Sequence, residues 1–319
     1  MKDGNVSAEN QTPHRSGFAC FVGRPNAGKS TLTNALVGGK IAITSSKPQT
    51  TRHAIRGLVN RDDAQLILID TPGLHKPHTL LGERLNALVR STWSEVDTIG
   101  MCLPANESVG EGDKFLIKEL AQLQKSGGRK PIFAIATKID LVKPDKLRDH
   151  LLSIQQAGAD LGLQWQEIIP VSAVSNDQVD LLADLLINTL PDGPALYPGG
   201  QLTDEPEETL IAEIIRESAL EGVRDELPHS LAVVVEEMVP RPDRPEDKPL
   251  IDVRVNVYVE RDSQKGIIIG KQGVRLRQIG SDSRAQIEKI LGTPVFLDLH
   301  VKVAKDWQRD PKQLRKLGF

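Results

Sequence analysis

Gly23-Arg24-Pro25-Asn26-Ala27-Gly28-Lys29-Ser30 has the form G-x-x-x-x-G-K-[ST], the spacing of a phosphate-binding P-loop. Gly23 and Gly28 let the backbone turn tightly enough for successive N–H groups to point at phosphates. Lys29 places a point charge near the β- and γ-phosphates, and Ser30 offers a hydroxyl to Mg²⁺. The flanks agree. Gly17–Val22 is an apolar run that reads as a buried strand, and Thr31 to Val37 continues as a helix.

Downstream, strand-like and helix-like segments alternate to about Leu190. Strands are expected at Phe18–Val22, Ala54–Val59, Gln65–Ile69, Thr98–Leu103, Ile132–Thr137 and Glu167–Pro170. Helices are expected near 30–37, 79–96, 111–124, 146–158 and 176–190. This alternation predicts an α/β fold, a mostly parallel sheet with helices on both faces, whose ligands bind at the carboxyl ends of strands.

Chemistry-bearing residues follow those strand ends. Pro48-Gln49-Thr50-Thr51-Arg52 lies in a polar loop, where a threonine can close over Mg²⁺ and a γ-phosphate; the place of Thr51 beside Arg52 favours it over Thr50. Asp70-Thr71-Pro72-Gly73 follows an apolar strand. Asp70 can hold the metal, and the Gly73 N–H can approach the γ-phosphate. No catalytic base stands out; Lys29, Thr51 and Gly73 are the phosphate and transition-state contacts. Thr137-Lys138-Ile139-Asp140 places a carboxylate, Asp140, that can accept both guanine N1–H and N2–H₂, with the Lys138 stem over the purine. Ser172-Ala173 can bring a backbone N–H to guanine O6. Thr137 brings a hydroxyl and no side-chain amide to its motif, so Asp140 is expected to carry more of the discrimination. Leu74, the residue after Gly73, has no polar group with which to polarise water. Hydrolysis is therefore expected to be slow without a stimulating partner, RNA or cation.

Bulk composition constrains the reading less. The chain has 319 residues and a net charge of −3, long enough for two cores and not uniformly basic. Cys20 and Cys102 sit in apolar runs, as reduced thiols in a cytoplasmic protein would. No apolar run is long enough to span a bilayer. Met1 to His14 is polar and reads as a flexible tail, not a signal peptide.

Pro191, Pro194, Pro198, Pro206 and Gly199-Gly200 read as a linker. The expected division is therefore a tail at 1–15, a first domain at 16–190, a linker at 191–206 and a second domain at 207–319. Beyond it come a helix over 208–226, strands at Leu231–Val239 and Ile251–Glu260, a helix over 274–291, a strand at Val295–Val303 and a basic tail. Between the second strand and the last helix lies Gly266–Gly273, ending Gly270-Lys271-Gln272-Gly273. A G-x-x-G turn between helical segments lets a nucleic-acid backbone approach closely, and Lys271 adds charge. Residues 205–263 carry 7 basic and 16 acidic groups, whereas 264–319 carry 12 basic and 5 acidic. The positive end surrounds the G-x-x-G turn, as a phosphate footprint would. Candidate RNA contacts are Ile268, Ile269, Gly270, Lys271, Gln272, Gly273, Val274, Arg275 and Arg277. The three apolar members could equally be core.

The order P-loop, Thr-Thr loop, D-x-x-G, T-K-x-D, S-A resembles the translation-factor-related GTPases. The order helix, strand, strand, G-x-x-G, helix, strand resembles a type II K-homology domain. Together they resemble the Era GTPase family over nearly the whole chain: Gly23–Ser30, Pro48–Arg52, Asp70–His75, Ile267–Gly273, Leu299-His300-Val301-Lys302-Val303 and Leu314–Phe319 read like it, while Thr137 and the N-terminal tail depart. The resemblance implies a Mg²⁺-dependent, GTP- and GDP-binding GTPase that binds the 3′ end of small-subunit ribosomal RNA and serves small-subunit (30S) maturation. It also implies a monomer in the cytoplasm with some peripheral association with the inner membrane. Asn26 resembles the asparagine that coordinates K⁺ in some GTPases of this kind. A tandem-G-domain assembly GTPase would need a second P-loop, and only one is found. A nucleotide-stabilised RNA-binding scaffold with little turnover is the alternative from a different class.

Overall fold

The computed structural model describes residues 14–44, 51–74, 77, 79–126, 130–223, 227–242, 244–245 and 247–319. The expected tail over 1–13, Pro48, Gln49, Thr50 and His75 lie outside them.

The first domain contains β1 (Arg15–Val22), α1 (Lys29–Val37), β2 (Ile55–Asn60), β3 (Ala64–Asp70), α2 (Leu80–Glu95), β4 (Thr98–Pro104), α3 (Glu111–Ser126), β5 (Ile132–Thr137), α4 (Pro144–Leu161), β6 (Ile168–Pro170) and α5 (Val179–Ile187). The strands form one sheet in the order β2-β3-β1-β4-β5-β6, all parallel except the β2–β3 pair. Its central strands are apolar on both faces because both are covered. Leu32 and Leu36 of α1 and Leu182 and Leu186 of α5 pack on one face; Trp93 of α2, Ile117 of α3 and Ile154 of α4 pack on the other. β1 sits where the strand order reverses, between β3 and β4, so the loop leaving it opens into the crevice where such sheets bind ligands. β1 starts at Arg15, paired with Ala64, one residue inside the segment read as tail.

The linker is fastened rather than free. Pro191 O accepts the Ser16 N–H, and Gln65 Oε1 accepts the N–H groups of Leu196 and Tyr197. Leu202 O accepts the Leu58 N–H at 2.8 Å, and Thr203 bridges to Gly57. The segment thereby covers the exposed edge of β2.

The second domain comprises α6 (Glu207–Leu220), α7 (Leu227–Ser230), β7 (Ala232–Pro240), β8 (Ile251–Val259), α8 (Asp262–Ile269), α9 (Val274–Leu291), β9 (Val295–Val303) and α10 (Pro311–Lys316). β7 and β8 are antiparallel, and β8 and β9 parallel. The odd-numbered valines of β8 face α6, α8 and α9 in one core. Tyr258 and Asn256, on the other face, are nonetheless buried, because the segment after β9 folds back over Tyr258. That segment is not a loose basic tail. Trp307, Leu314 and Leu317 are buried with Leu81 and Leu85 of α2, joining the two domains through an apolar contact.

Candidate nucleotide site and RNA groove

The P-loop leaves β1 and ends at the N-terminus of α1, where unpaired N–H groups and the helix dipole favour anions. Gly28 caps the helix with φ +93°, a conformation that excludes most side chains. Thr31 lies in the first turn. Lys29 is buried, and its Nζ donates to Gly23 O and Arg24 O, both at 3.1 Å. Burial lowers its pKa, opposed by the charge of Asp70. The Arg24 side chain turns away from the loop's interior: Nε donates to Asp113 Oδ1 at 2.8 Å and Nη2 to Glu107 Oε2 at 3.0 Å. Only its backbone belongs to the phosphate cradle. Asn26 holds φ +62° at the loop's crown.

Three oxygen-bearing side chains converge beside Lys29. Ser30 Oγ donates to Asp70 Oδ2 at 2.7 Å, Thr51 Oγ1 donates to the same oxygen at 3.3 Å, and the two hydroxyls lie 3.1 Å apart. Asp70 Oδ1 is buried with no hydrogen-bond partner among the described residues. Burial raises the Asp70 pKa, and the hydrogen bond from Ser30 and the charge of Lys29 oppose it. A hard, oxygen-only cluster around a desolvated carboxylate with an unused oxygen fits Mg²⁺. Thr51 lies at this cluster, whereas Thr50 is outside the described residues. Gly73 comes against the P-loop, where an added Cβ would lie 3.2 Å from Pro25 N. Thr71 and Pro72 are buried, the Thr71 hydroxyl bonding Phe21 O at 3.3 Å. Leu74 packs on the core cluster beneath α2, α3 and α4, which leaves it nothing to offer a water molecule.

The residues expected to read the base gather at the ends of β5 and β6. Ser172 Oγ donates to Asp140 Oδ1 at 2.6 Å, aiming the carboxylate, with Ala173 next in the chain. Lys138 takes φ +59° just before the short turn carrying Asp140. Thr137 departs from the usual Asn without leaving the site unsupported: its Oγ1 donates to Ala27 O at 2.7 Å, tying the base-reading segment to the P-loop.

Thr51 leads directly into the domain interface. Arg52 is almost wholly buried; its Nη1 donates to Leu231 O at 2.5 Å, and its guanidinium faces the Trp307 and Phe319 rings at 5.6 and 6.0 Å. Burial, then Arg216, pushes its pKa down to about 9, with Glu213 and Glu260 opposing, so it stays cationic at neutral pH. Burial works against the Glu213 carboxylate, but Arg216, His53 and Arg52 outweigh it and hold its pKa down.

In the second domain, Gly270 has φ +72° and ψ 174°, and a Cβ there would meet Arg275 Cβ at 2.8 Å, so only glycine fits. Lys271 and Gln272 stand exposed at the tip. Between α9 and the edge strand β9 runs a groove of about 550 Å³ that begins at Gln272 and Gly273 and includes Leu276, Arg277, Phe296 and Leu299. Two candidate contacts are corrected. Ile268 is fully buried in the core because α8 turns it onto the sheet. Arg275 is committed to protein: Nη2 donates to Ala219 O at 3.2 Å and Glu221 O at 2.6 Å, capping α6. Ile269 is part-buried against the same core, whereas Val274 is 59 % exposed and remains available. Arg277 Nη2 braces the turn through Gln272 O at 3.1 Å. Phe296 and Leu276 were missed, since an apolar residue on a strand or helix gives no sign in sequence of lining a groove.

Comparison with known proteins agrees with this layout. The family described as 50S ribosome-binding GTPase matches residues 18–138, and the KH domain family matches 226–308. GTPase Era of Streptomyces coelicolor is 70 % identical over 309 residues, covering 97 % of this chain and 96 % of that protein. GTPase Era of a Nocardioides species is 66 % identical over 315 residues, covering 99 % of both. An Aquifex aeolicus Era variant solved with GDP·AlF4⁻ superposes with a TM-score of 0.86 at 34 % identity, covering 95 % of this chain and 99 % of that one. Era solved with MgGDPNP and nucleotides 1506–1542 of 16S ribosomal RNA also has a TM-score of 0.86, at 35 % identity over 96 % of this chain and 99 % of that one. By sequence over its whole length, by fold and by site, the chain belongs to the GTPase Era family.

Proposed function

We propose that this chain is a GTP-hydrolysing switch that binds small-subunit ribosomal RNA near its 3′ end and promotes small-subunit maturation. The observation that carries the switch is the Thr51–Arg52 step: one residue completes the metal cluster, and the next is buried against the second domain at Leu231 O. Mg²⁺ bound at Ser30, Thr51 and Asp70 supplies positive charge to the phosphates of GTP. The P-loop N–H groups and Lys29 hold those phosphates, Asp140 and Ser172 orient the base, and Thr51 and Gly73 report the γ-phosphate. Ordering or release of Thr51 moves Arg52, and with it the packing of the second domain. With Leu74 unable to orient water, turnover is slow until a partner stimulates it. Asn26 is proposed to take part in K⁺ stimulation.

The RNA assignment rests on the groove and its G-x-x-G turn, together with the 16S ribosomal RNA segment bound by the solved Era relative. The G-domain family's description speaks of the 50S particle, but that match stops at residue 138, before the groove. We divide the chain into a tail ending before β1, where the expected 1–15 runs one residue into the strand, a GTPase domain from Arg15 to residue 190, a linker at 191–206 and an RNA-binding domain at 207–319. Among the described residues, no helix is long and apolar enough to cross a membrane. We place the protein in the cytoplasm as a monomer, with inner-membrane contact as a peripheral association carried by the family resemblance. The test is RNA crosslinking in cells beside a Gly270→Asp/Gly273→Asp variant. Crosslinks at the 3′ end of small-subunit ribosomal RNA that vanish in the variant support the reading; scattered or variant-indifferent crosslinks overturn it.

A further inference from the structure

Aromatic residues are scarce in this chain, 3 % of the whole, and most large apolar side chains of the second domain are committed to its core. Phe296 is an exception. It lies near the start of the edge strand β9, 52 % exposed, among the residues lining the groove that begins at the G-x-x-G turn. Its backbone pairs with Asp252 of β8. Arg241, just after β7, reaches across that same position. Its Nε lies 3.0 Å from both Asp252 carboxylate oxygens and its Nη2 lies 2.6 Å from Oδ1, and its guanidinium sits 4.9 Å from the Phe296 ring centroid.

The arrangement is directional. Arg241 approaches from the β8 side, so it covers the inner face of the ring. Among the described residues β9 has no strand beyond it, and Phe296 is one of the residues lining the groove along that edge. A cation held by a two-pronged carboxylate clamp fixes the ring's orientation. An aromatic face fixed at the rim of a channel carrying Arg277 and Arg284 is suited to unpaired bases, whose backbone the cations attract and whose flat faces stack. A solvated strand position would be served by a polar side chain at lower cost in exposed apolar surface.

We propose that Phe296 is a stacking platform for one unpaired base of the bound RNA, held from behind by the Arg241–Asp252 pair, and that it sets base preference at one position of the RNA. This rests on the reading of the second domain as an RNA-binding module. It places a base beyond the G-x-x-G turn, at the strand side of the groove. Purines, with their larger faces, gain most from such a platform.

The test uses the full chain with Mg²⁺ and a non-hydrolysable GTP analogue. The probe is a fluorescently labelled single-stranded RNA copy of the 3′ end of small-subunit ribosomal RNA. Phe296→Ala, Phe296→Leu, Phe296→Tyr and Arg241→Gln are compared with the parent, with GDP affinity as the check of folding. Phe296→Ala is expected to weaken RNA binding about tenfold, within the range seen when base-stacking aromatics are truncated. Phe296→Tyr stays near the parent, Phe296→Leu falls close to Ala, and Arg241→Gln lies between. A series of abasic RNAs then locates the partner. One position costs the parent about the same factor and costs Phe296→Ala nothing further. Binding by Phe296→Ala within twofold of the parent, or abasic losses that add to it at every position, overturns the platform, provided Gly270→Asp/Gly273→Asp still abolishes binding. If the parent fails to bind the RNA, or binds it indifferently to the turn variant, the RNA reading itself falls and the platform with it.

Discussion

Glu217 of α6 accepts the backbone N–H of Thr44 at 2.8 Å and its hydroxyl at 3.2 Å, across the boundary between the two domains. Lys40 pairs with the same carboxylate, and its Nζ also donates to Gln286 of α9 at 2.6 Å. The loop that runs from α1 to the metal cluster is thus held on the RNA-binding domain at both its ends, by Glu217 before Thr51 and by Leu231 O after it. Glu217→Ala takes the carboxylate out of the first hold and leaves the Lys40–Gln286 bond. The ratio of RNA affinities in the GTP-analogue and GDP states is expected to fall at least severalfold, since each charge-assisted bond is worth about 1.5–3 kcal/mol. Linkage requires the same factor in the effect of RNA on GTP-analogue affinity. Titrations of both kinds, with an unchanged ratio, would count against this hold.

Thr137→Val keeps the side chain's shape and deletes the hydroxyl that bonds Ala27 O. A buried carbonyl left unsatisfied costs about 1–3 kcal/mol. GDP affinity should therefore drop by roughly tenfold while Thr137→Ser stays near the parent; isothermal titration distinguishes the two. Equal affinities for Val and Ser variants would mean the bond contributes nothing.

Asp70→Asn preserves volume and removes the charge from the metal cluster. GTP hydrolysis should fall by about a hundredfold or more, as losses of key electrostatic groups do, and the Mg²⁺ concentration for half-maximal GTP-analogue binding should rise. Thr51→Ala should weaken the GTP-analogue complex while leaving GDP affinity near the parent's. If GDP and analogue suffer alike, Thr51 is not reporting the γ-phosphate.

His53 stacks on Phe319 with centroids 4.9 Å apart, and burial holds its pKa below the usual imidazole value, with Glu213 opposing and Arg216 and Arg52 assisting. The unfolded chain takes up the proton first as pH falls below about 6.5. The unfolded state then holds more protons than the folded one, so stability declines with falling pH through that window. In urea melts from pH 7.5 to 5.5, His53→Phe, which keeps the stack, should flatten this decline. A slope unchanged by the substitution would assign it to other groups, of which buried His150 is the first to examine.

Replacing K⁺ with Na⁺ at equal ionic strength should slow hydrolysis if Asn26 takes part in cation stimulation. Equal rates end that proposal.

The candidate nucleotide site could be read from sequence because its residues are bound to their neighbours by backbone geometry. A P-loop needs Gly28 at positive φ, and an aimed Asp140 needs Ser172 at a strand end. The strands of both domains emerged from apolar runs, with Val295–Val303 and Ile132–Thr137 recovered to the residue. The fastening of the linker was not legible, because its prolines and glycines describe its own stiffness, whereas the groups that hold it, Ser16, Gln65 and Leu58, lie far off in the chain. Arg275 was misassigned for the same reason: charge beside a phosphate-binding turn is visible in sequence, but a helix end that claims that charge first is not. Trp307 and Leu314 looked like part of a basic tail because lysines and arginines surround them, and only the fold shows that the apolar residues face α2.

The strap along β2 changes how far the RNA-binding domain can travel. Sixteen free residues would let it roam over about 50 Å at full extension, but after Asp204, which pairs with Arg56 at 3.2 Å, only Glu205 and Pro206 precede α6, a reach of about 7 Å. The domain is tied on a short leash instead of a long one. Any displacement of the domain, and of an RNA end held in its groove, is thereby confined to a swing about a point beside the GTPase sheet.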